Sequence, residues 1–162
     1  MQAGIWENKN RSVIKNFSMR IAICGSMAFT EEMFQIQKEL EVMGHEGVVS
    51  HFGNSYRDKT QEEIEKLKLY DKYEKEAIKE FWEEIKKSDA IVVLNYDRKG
   101  IKNYIGGNTF LEIGFAYVLN KKIFLFHPIP DLEIYKSEIE AMRPVILYGD
   151  LGRISEYTTD KK

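Results

Sequence analysis

Ser88-Asp89-Ala90-Ile91-Val92-Val93-Leu94-Asn95 is the stretch on which the fold turns. It is a near-continuous apolar run, bounded by polar residues, with no alternation of apolar and polar side chains. A strand of this kind is covered on both faces, as strands of parallel sheets are. Toward the N-terminus, Met19-Arg20-Ile21-Ala22-Ile23-Cys24 is a second β-rich run, ending at Gly25-Ser26, and Gly47-Val48-Val49-Ser50 is a brief third. Toward the C-terminus, residues 122–126 and 144–148 complete a set of five. The spacing between them predicts helices. Thr30 caps one in which Met33, Ile36, Leu40 and Met43 recur at helical intervals until Gly44. Residues 51–59 read as a loop, and residues 60–87 as a Glu/Lys-rich helical region with a break near Tyr70-Asp71. Its charge run reads as a solvated face, and its second half carries a core stripe of Ile78, Phe81, Trp82 and Ile85. A helix carrying Glu112, a stiff turn at His127-Pro128-Ile129-Pro130 and a short helix over 133–142 finish the pattern. The order βαβαβαβαβ specifies a flavodoxin-like, Rossmann-like three-layer α/β sandwich with a five-stranded parallel sheet, order 2-1-3-4-5. In that order the turns after the first and third strands, Gly25-Ser26 and residues 95–108, flank one crevice, where such sheets bind ligands.

A chain of 162 residues with 43% apolar and 31% charged residues builds one globular domain, expected over residues 19–151. Residues 1–18, polar and basic, read as a loose extension, and residues 152–162 as a tail. Net charge is −2, with no basic stripe mixed with aromatics, so duplex nucleic acid is not an expected partner. The lone Cys24 excludes an internal disulfide and reads as a core residue. His45, His51 and His127 are scattered, and no ligand spacing calls for a metal or an organic cofactor. No apolar stretch approaches the roughly 20 residues that span a bilayer, and residues 1–18 lack a signal-peptide core. A reduced, cytoplasmic domain away from membranes is the expectation.

Glu112 is the only charge in Thr109-Phe110-Leu111-Glu112-Ile113-Gly114-Phe115-Ala116-Tyr117-Val118-Leu119. Apolar side chains point nearly every way around that helix, so little of its surface is expected to face water. A carboxylate there is desolvated, which is costly or raises its pKa. The competing reading is that Glu112 satisfies backbone amides at its own helix start. Before it, Gly106-Gly107-Asn108-Thr109 open the helix with free N–H groups that favour an anion. Gly25-Ser26 admit close backbone approach and offer a hydroxyl. No GxxxxGK[ST] and no GxGxxG follow the first strand, so a monophosphate or sugar hydroxyls fit better than a triphosphate or dinucleotide. Asn95, at the end of the third strand, is placed for a sugar hydroxyl. Tyr104 stacks on a base or anchors its loop, and His127 reads as structural. A desolvated carboxylate suits attack on a sugar C1, a chemistry in which a retaining mechanism adds a second acid about 5 Å away.

Three segments, Ile21-Ala22-Ile23-Cys24-Gly25-Ser26, residues 88–95 and Gly107-Asn108-Thr109-Phe110-Leu111-Glu112-Ile113-Gly114-Phe115-Ala116, together resemble the nucleoside 2-deoxyribosyltransferase superfamily. That superfamily includes the deoxynucleoside 5′-monophosphate N-glycosidases. The resemblance spans residues 19 to 151, and its most specific piece is Glu-Ile-Gly-Phe-Ala behind the hydroxyl of Thr109. It implies cleavage or transfer at the N-glycosidic bond of a 2′-deoxynucleoside or its 5′-monophosphate, with Glu112 as nucleophile and Gly25-Ser26 lining the nucleotide pocket. At the position where the family carries an aspartate that helps protonate the leaving base, this chain has Phe81. The second acid is then Asp97, Asp71, a residue of a neighbouring subunit, or absent. The alternative is a nucleotide-binding or sensing module of the same fold without turnover. Expected partners are a small nucleoside or nucleotide and a second copy of the chain in a homodimer.

Overall fold

The computed structural model describes residues 18–158. Its strands are β1 (Arg20–Gly25), β2 (Glu46–Val48), β3 (Ala90–Leu94), β4 (Lys122–Leu125) and β5 (Val145–Ile146). Its helices are α1 (Thr30–Val42), α2 (Gly53–Tyr56), α3 (Gln61–Glu74), α4 (Ala77–Lys87), α5 (Gly107–Val118) and α6 (Lys136–Ala141), with 3-10 turns at Met27–Phe29 and Leu151–Tyr157. All strand pairs are parallel and the sheet order is β2-β1-β3-β4-β5. This is the flavodoxin-like α/β arrangement.

Period-two alternation divides the core. Ile21 and Ile23 of β1, with Val92 and Leu94 of β3, pack with Met33, Ile36 and Leu40 of α1 on one face. Ala22 and Cys24, with Ile91 and Val93, pack with Ile85 of α4 and Ile113 of α5 on the other. Every residue of β3 is buried, as its unbroken apolar run requires. Each fully buried Ile, Leu or Val contributes about 1.5–3 kcal/mol.

The register sets the site. Cys24 lies opposite Val93 and Gly25 opposite Leu94, so β1 and β3 end level and their turns open side by side. Gly25 permits this: a Cβ there would lie 3.0 Å from the Leu94 carbonyl oxygen and 3.2 Å from Met33 Cε.

Several local expectations give way. The helical region breaks at Lys75 and Glu76, the latter at φ 50°, and not at Tyr70-Asp71. Asp71 is buried and held by Tyr56, so α3 runs on through it. A capping box between Thr60 and Glu63 starts α3. The expected loop over 51–59 contains α2. Within the expected tail, Ile154 is buried with Leu151 against the first core face. On α5, Leu111, Tyr117 and Val118 are 44%, 52% and 70% exposed, so the helix has an apolar outer face, contrary to the expectation of near-complete burial. The proposed extension, apart from Ser18, lies outside the described residues, as do residues 159–162. Among the described residues no helix is long and apolar enough to cross a membrane.

Candidate active site

The end of β1, the start of α5 and the turn that leads into it border a cavity of about 200 Å³. Cys24, Gly25 and Ser26 contribute from the end of β1, and Gly106, Gly107, Asn108, Thr109 and Glu112 from α5 and the turn before it. The opposite wall consists of Phe52, Tyr56, Lys68, Asp71 and Lys72 from α2, α3 and the turn before α2, with Ala77 and Phe81 from α4.

Glu112 reaches the cavity from the second turn of α5. The residue is half-buried, while its Oε2 is sealed from solvent and has no hydrogen-bond partner. No side chain caps α5, so Glu112 is not spent on its own helix start. Burial raises its pKa from 4.5 to about 8, and the Cys24 thiol beneath it pulls the other way. The thiol is pushed well up, first by burial and then by the Glu112 carboxyl. A carboxyl with no cation and one soft donor is a proton-holding group at neutral pH.

The mouth of α5 is open. Gly106 is extended, and the first N–H groups of the helix, at Gly107, Asn108 and Thr109, border the cavity without intrahelical acceptors. Thr109 is buried. Ser26 lines the cavity and also caps the 3-10 turn, its Oγ accepting from the Ala28 N–H at 3.3 Å.

Two sequence candidates are not brought here. Asn95 is fully buried; its Nδ2 donates to the carbonyls of His127 (2.9 Å) and Pro128 (3.0 Å), and its Oδ1 accepts from the His127 N–H (2.8 Å). Its amide ties the end of β3 to the turn after β4, and the residue does not line the cavity. Asp97 is exposed and accepts from the Asn103 N–H at 2.8 Å, closing its own loop. Asp71 is in the cavity, buried, with Tyr56 Oη donating to its Oδ2 at 2.7 Å. That bond and burial raise the Tyr56 pKa, burial acting most. Phe81 also faces the cavity, so the position that the family resemblance gives to an aspartate presents a ring while α3 supplies a carboxylate.

Tyr56, Lys68 and Lys72 were missed by sequence reasoning, which assigned the first to a loop and the others to a solvated face. A signal was present. Ile64, Lys68 and Asp71 follow i, i+4, i+7 spacing, one face of a helix, and Ile64 and Asp71 are the buried residues of α3. Burial lowers the Lys68 pKa, with Arg98 and Lys72 adding to the effect and Glu65 opposing it. Among the described residues no group of three or more His, Cys, Asp or Glu side chains is placed to hold a metal ion.

No protein-family model matches the chain, and no curated protein matches it. Among solved structures it is similar to the 2-deoxyribosyltransferase of the psychrotolerant bacterium Bacillus psychrosaccharolyticus, at 20% identity over 65% of this chain and 71% of that one, TM-score 0.37. It is also similar to the CMP N-glycosidase of Clostridium botulinum, at 14% identity over 85% of this chain and 96% of that one, TM-score 0.43. Likeness of this degree carries no argument about the chemistry of the cavity.

Proposed function

We propose that this chain cleaves, or transfers at, the N-glycosidic bond of a 2′-deoxynucleoside or its 5′-monophosphate. The observation that carries the reading is the carboxyl of Glu112, unpartnered at Oε2 on the wall of a cavity that also holds the carboxylate of Asp71. The sequence resemblance supports the same assignment. Ionised Glu112 attacks C1′, forming a C1′–O bond as the C1′–N bond breaks and its electron pair leaves with the base. The departing base takes up a proton from water, with Asp71 of the same cavity placed to pass it on. Water then attacks C1′, giving its proton to Asp71 and releasing Glu112; in transfer a second base replaces the water. The open N–H groups of Gly107, Asn108 and Thr109 and the Ser26 hydroxyl are within the same cavity to orient the sugar. With a pKa of about 8, only about a tenth of Glu112 is ionised at pH 7, so kcat/KM rises with pH until about 8.

A homodimer and a cytoplasmic location belong to the same reading. The exposed apolar face of α5 supports the first.

The test is a panel of deoxynucleosides and their 5′-monophosphates assayed for free base. Intact mass of enzyme quenched during turnover should show a deoxyribosyl adduct that is absent from Glu112→Gln. Release of base without any adduct, on substrates that accumulate a burst, counts against the covalent step.

The second reading, a nucleotide-binding module without turnover, draws on Phe81 in the cavity and on a Glu112 that holds its proton at neutral pH. Saturable nucleotide binding with no base release across the panel selects it.

A further inference from the structure

The α3 wall carries more positive charge than its surroundings compensate. Lys72 lines the cavity, yet the lysine ion pairs within α3 are Lys66–Glu62 and Lys68–Glu65, and Lys72 joins none among the described residues. Lys68, also lining the cavity, has Glu65 at 3.5 Å, but that carboxylate is shared with Arg98 at 3.0 Å and Lys99 at 3.7 Å. One carboxylate therefore faces three cations. The Arg98 side chain is only 7% exposed, and its Nη1 is sealed without a hydrogen-bond partner. Its guanidinium lies 5.7 Å from the ring of Tyr104, which borders the same cavity. Asp71 does not relieve this surplus, because its carboxylate is directed to Tyr56 and pairs with neither lysine. Partly desolvated cations left without an anion are unfavourable, and a bound anion removes that cost.

The α5 mouth, by contrast, offers N–H groups with only partial charge and no cation among the side chains that border it. A phosphomonoester, with close to two negative charges and three acceptor oxygens, is matched by the ammonium pair and not by the amide turn. We infer that Lys68 and Lys72 form a phosphate subsite, so that the ligand of this cavity is a sugar 5-phosphate or nucleoside 5′-monophosphate in preference to its unphosphorylated counterpart. The identity of the sugar rests on the deoxyribosyl reading above; the subsite does not require turnover.

The experiment is calorimetric titration of the full chain with 2-deoxyribose 5-phosphate, 2-deoxyribose and inorganic phosphate. Wild type is compared with Lys72→Gln, Lys72→Arg and the Lys68→Gln/Lys72→Gln double variant. The expected result is that the phosphate ester binds at least tenfold more tightly than the sugar. That ratio falls at least tenfold in the double variant, falls less in Lys72→Gln and survives in Lys72→Arg. Should the double variant not fold, the contrast between Lys72→Gln and Lys72→Arg carries the test. The subsite is overturned if ester and sugar bind alike in wild type, or if their ratio is unchanged by every lysine-to-glutamine change, which would put the phosphate at the α5 mouth. Ester binding that depends on the lysines, with no base released from any deoxynucleotide, removes the catalytic reading and leaves the subsite. Base release at equal efficiency with and without the phosphate, insensitive to the lysines, does the reverse.

Discussion

On the α5 side of the cavity a single carboxyl stands among apolar neighbours, with one thiol beside it and an oxygen that bonds to nothing. On the α3 side, Asp71 has Tyr56, and Lys68 and Arg98 share Glu65, while Lys72 pairs with no carboxylate among the described residues. The supporting elements differ as well. α5 buries Ile113 and Ala116 in the core beneath the sheet, whereas α3 buries only Ile64 and Asp71. A charge held without compensation needs a rigid support, because the surrounding structure must resist relaxing around it. A recognition surface can sit on a helix that is held by hydrogen bonds and ion pairs. On the proposed reading the first wall does the chemistry and the second the selection.

The largest effect expected is at Glu112. Glu112→Gln should lower kcat by roughly three orders of magnitude or more while keeping the fold, as loss of a covalent nucleophile does. Its stability should move the opposite way. The folded-state pKa of about 8 lies above the ordinary 4.5. As pH rises from about 4.5, the unfolded chain gives up the proton while the folded chain keeps it, so wild-type stability falls until pH passes about 8. Glu112→Gln escapes this loss. Denaturant unfolding at pH 9 should find it more stable than wild type by about 5 kcal/mol, with little difference at pH 4. A variant no more stable at pH 9 than at pH 4, relative to wild type, means that Glu112 is not desolvated and that the two walls do not differ as described.

Asp71→Asn comes next, with kcat reduced by about 10²–10⁴ and the loss shrinking for bases that leave readily without a proton. Uniform loss across leaving groups would make Asp71 a structural residue. Tyr56→Phe probes the same pair through stability. Removing the donor leaves a buried carboxylate short of a partner, at a cost of about 1–3 kcal/mol in chemical denaturation.

A smaller change is expected at Cys24. The thiol is the group that lowers the Glu112 pKa, so Cys24→Ala should move the rising limb of the pH–kcat/KM profile upward. An unmoved or lowered inflection would show that Glu112 titrates independently of β1. Ser26→Ala should have the smallest effect, below about 1 kcal/mol in stability, because the hydroxyl supplies one long capping bond to a short 3-10 turn.

Much of this was legible in the chain. The strand order follows from five short apolar runs alternating with helical periodicity, and β3 is buried throughout, as its lack of polar alternation requires. Glu112 stood out as the one charge on an apolar helix, but with Leu111, Tyr117 and Val118 exposed its burial comes from packing toward Cys24 of β1 and not from its sequence neighbours. Asn95 shows where such reasoning stops: its place at the end of β3 was readable, but the acceptors that use up its amide lie 32 and 33 residues away. The helix break was misplaced because Asp71, polar in isolation, is drawn inward by Tyr56.

The sequence by itself determined the parallel α/β sheet, the crevice at the ends of β1 and β3, and the carboxyl at its edge. Apolar periodicity is a property of adjacent residues and needs no distant partner to be recognised. Only the tertiary structure decided that Asp71 and not Asp97 shares the cavity, that Asn95 does not, and that Lys68 and Lys72 do. Those outcomes depend on pairings such as Tyr56 with Asp71, 15 residues apart, and Arg98 with Glu65, 33 residues apart. Polar side chains choose partners by direction and distance in the folded chain, and neither is encoded in the spacing of nearby residues.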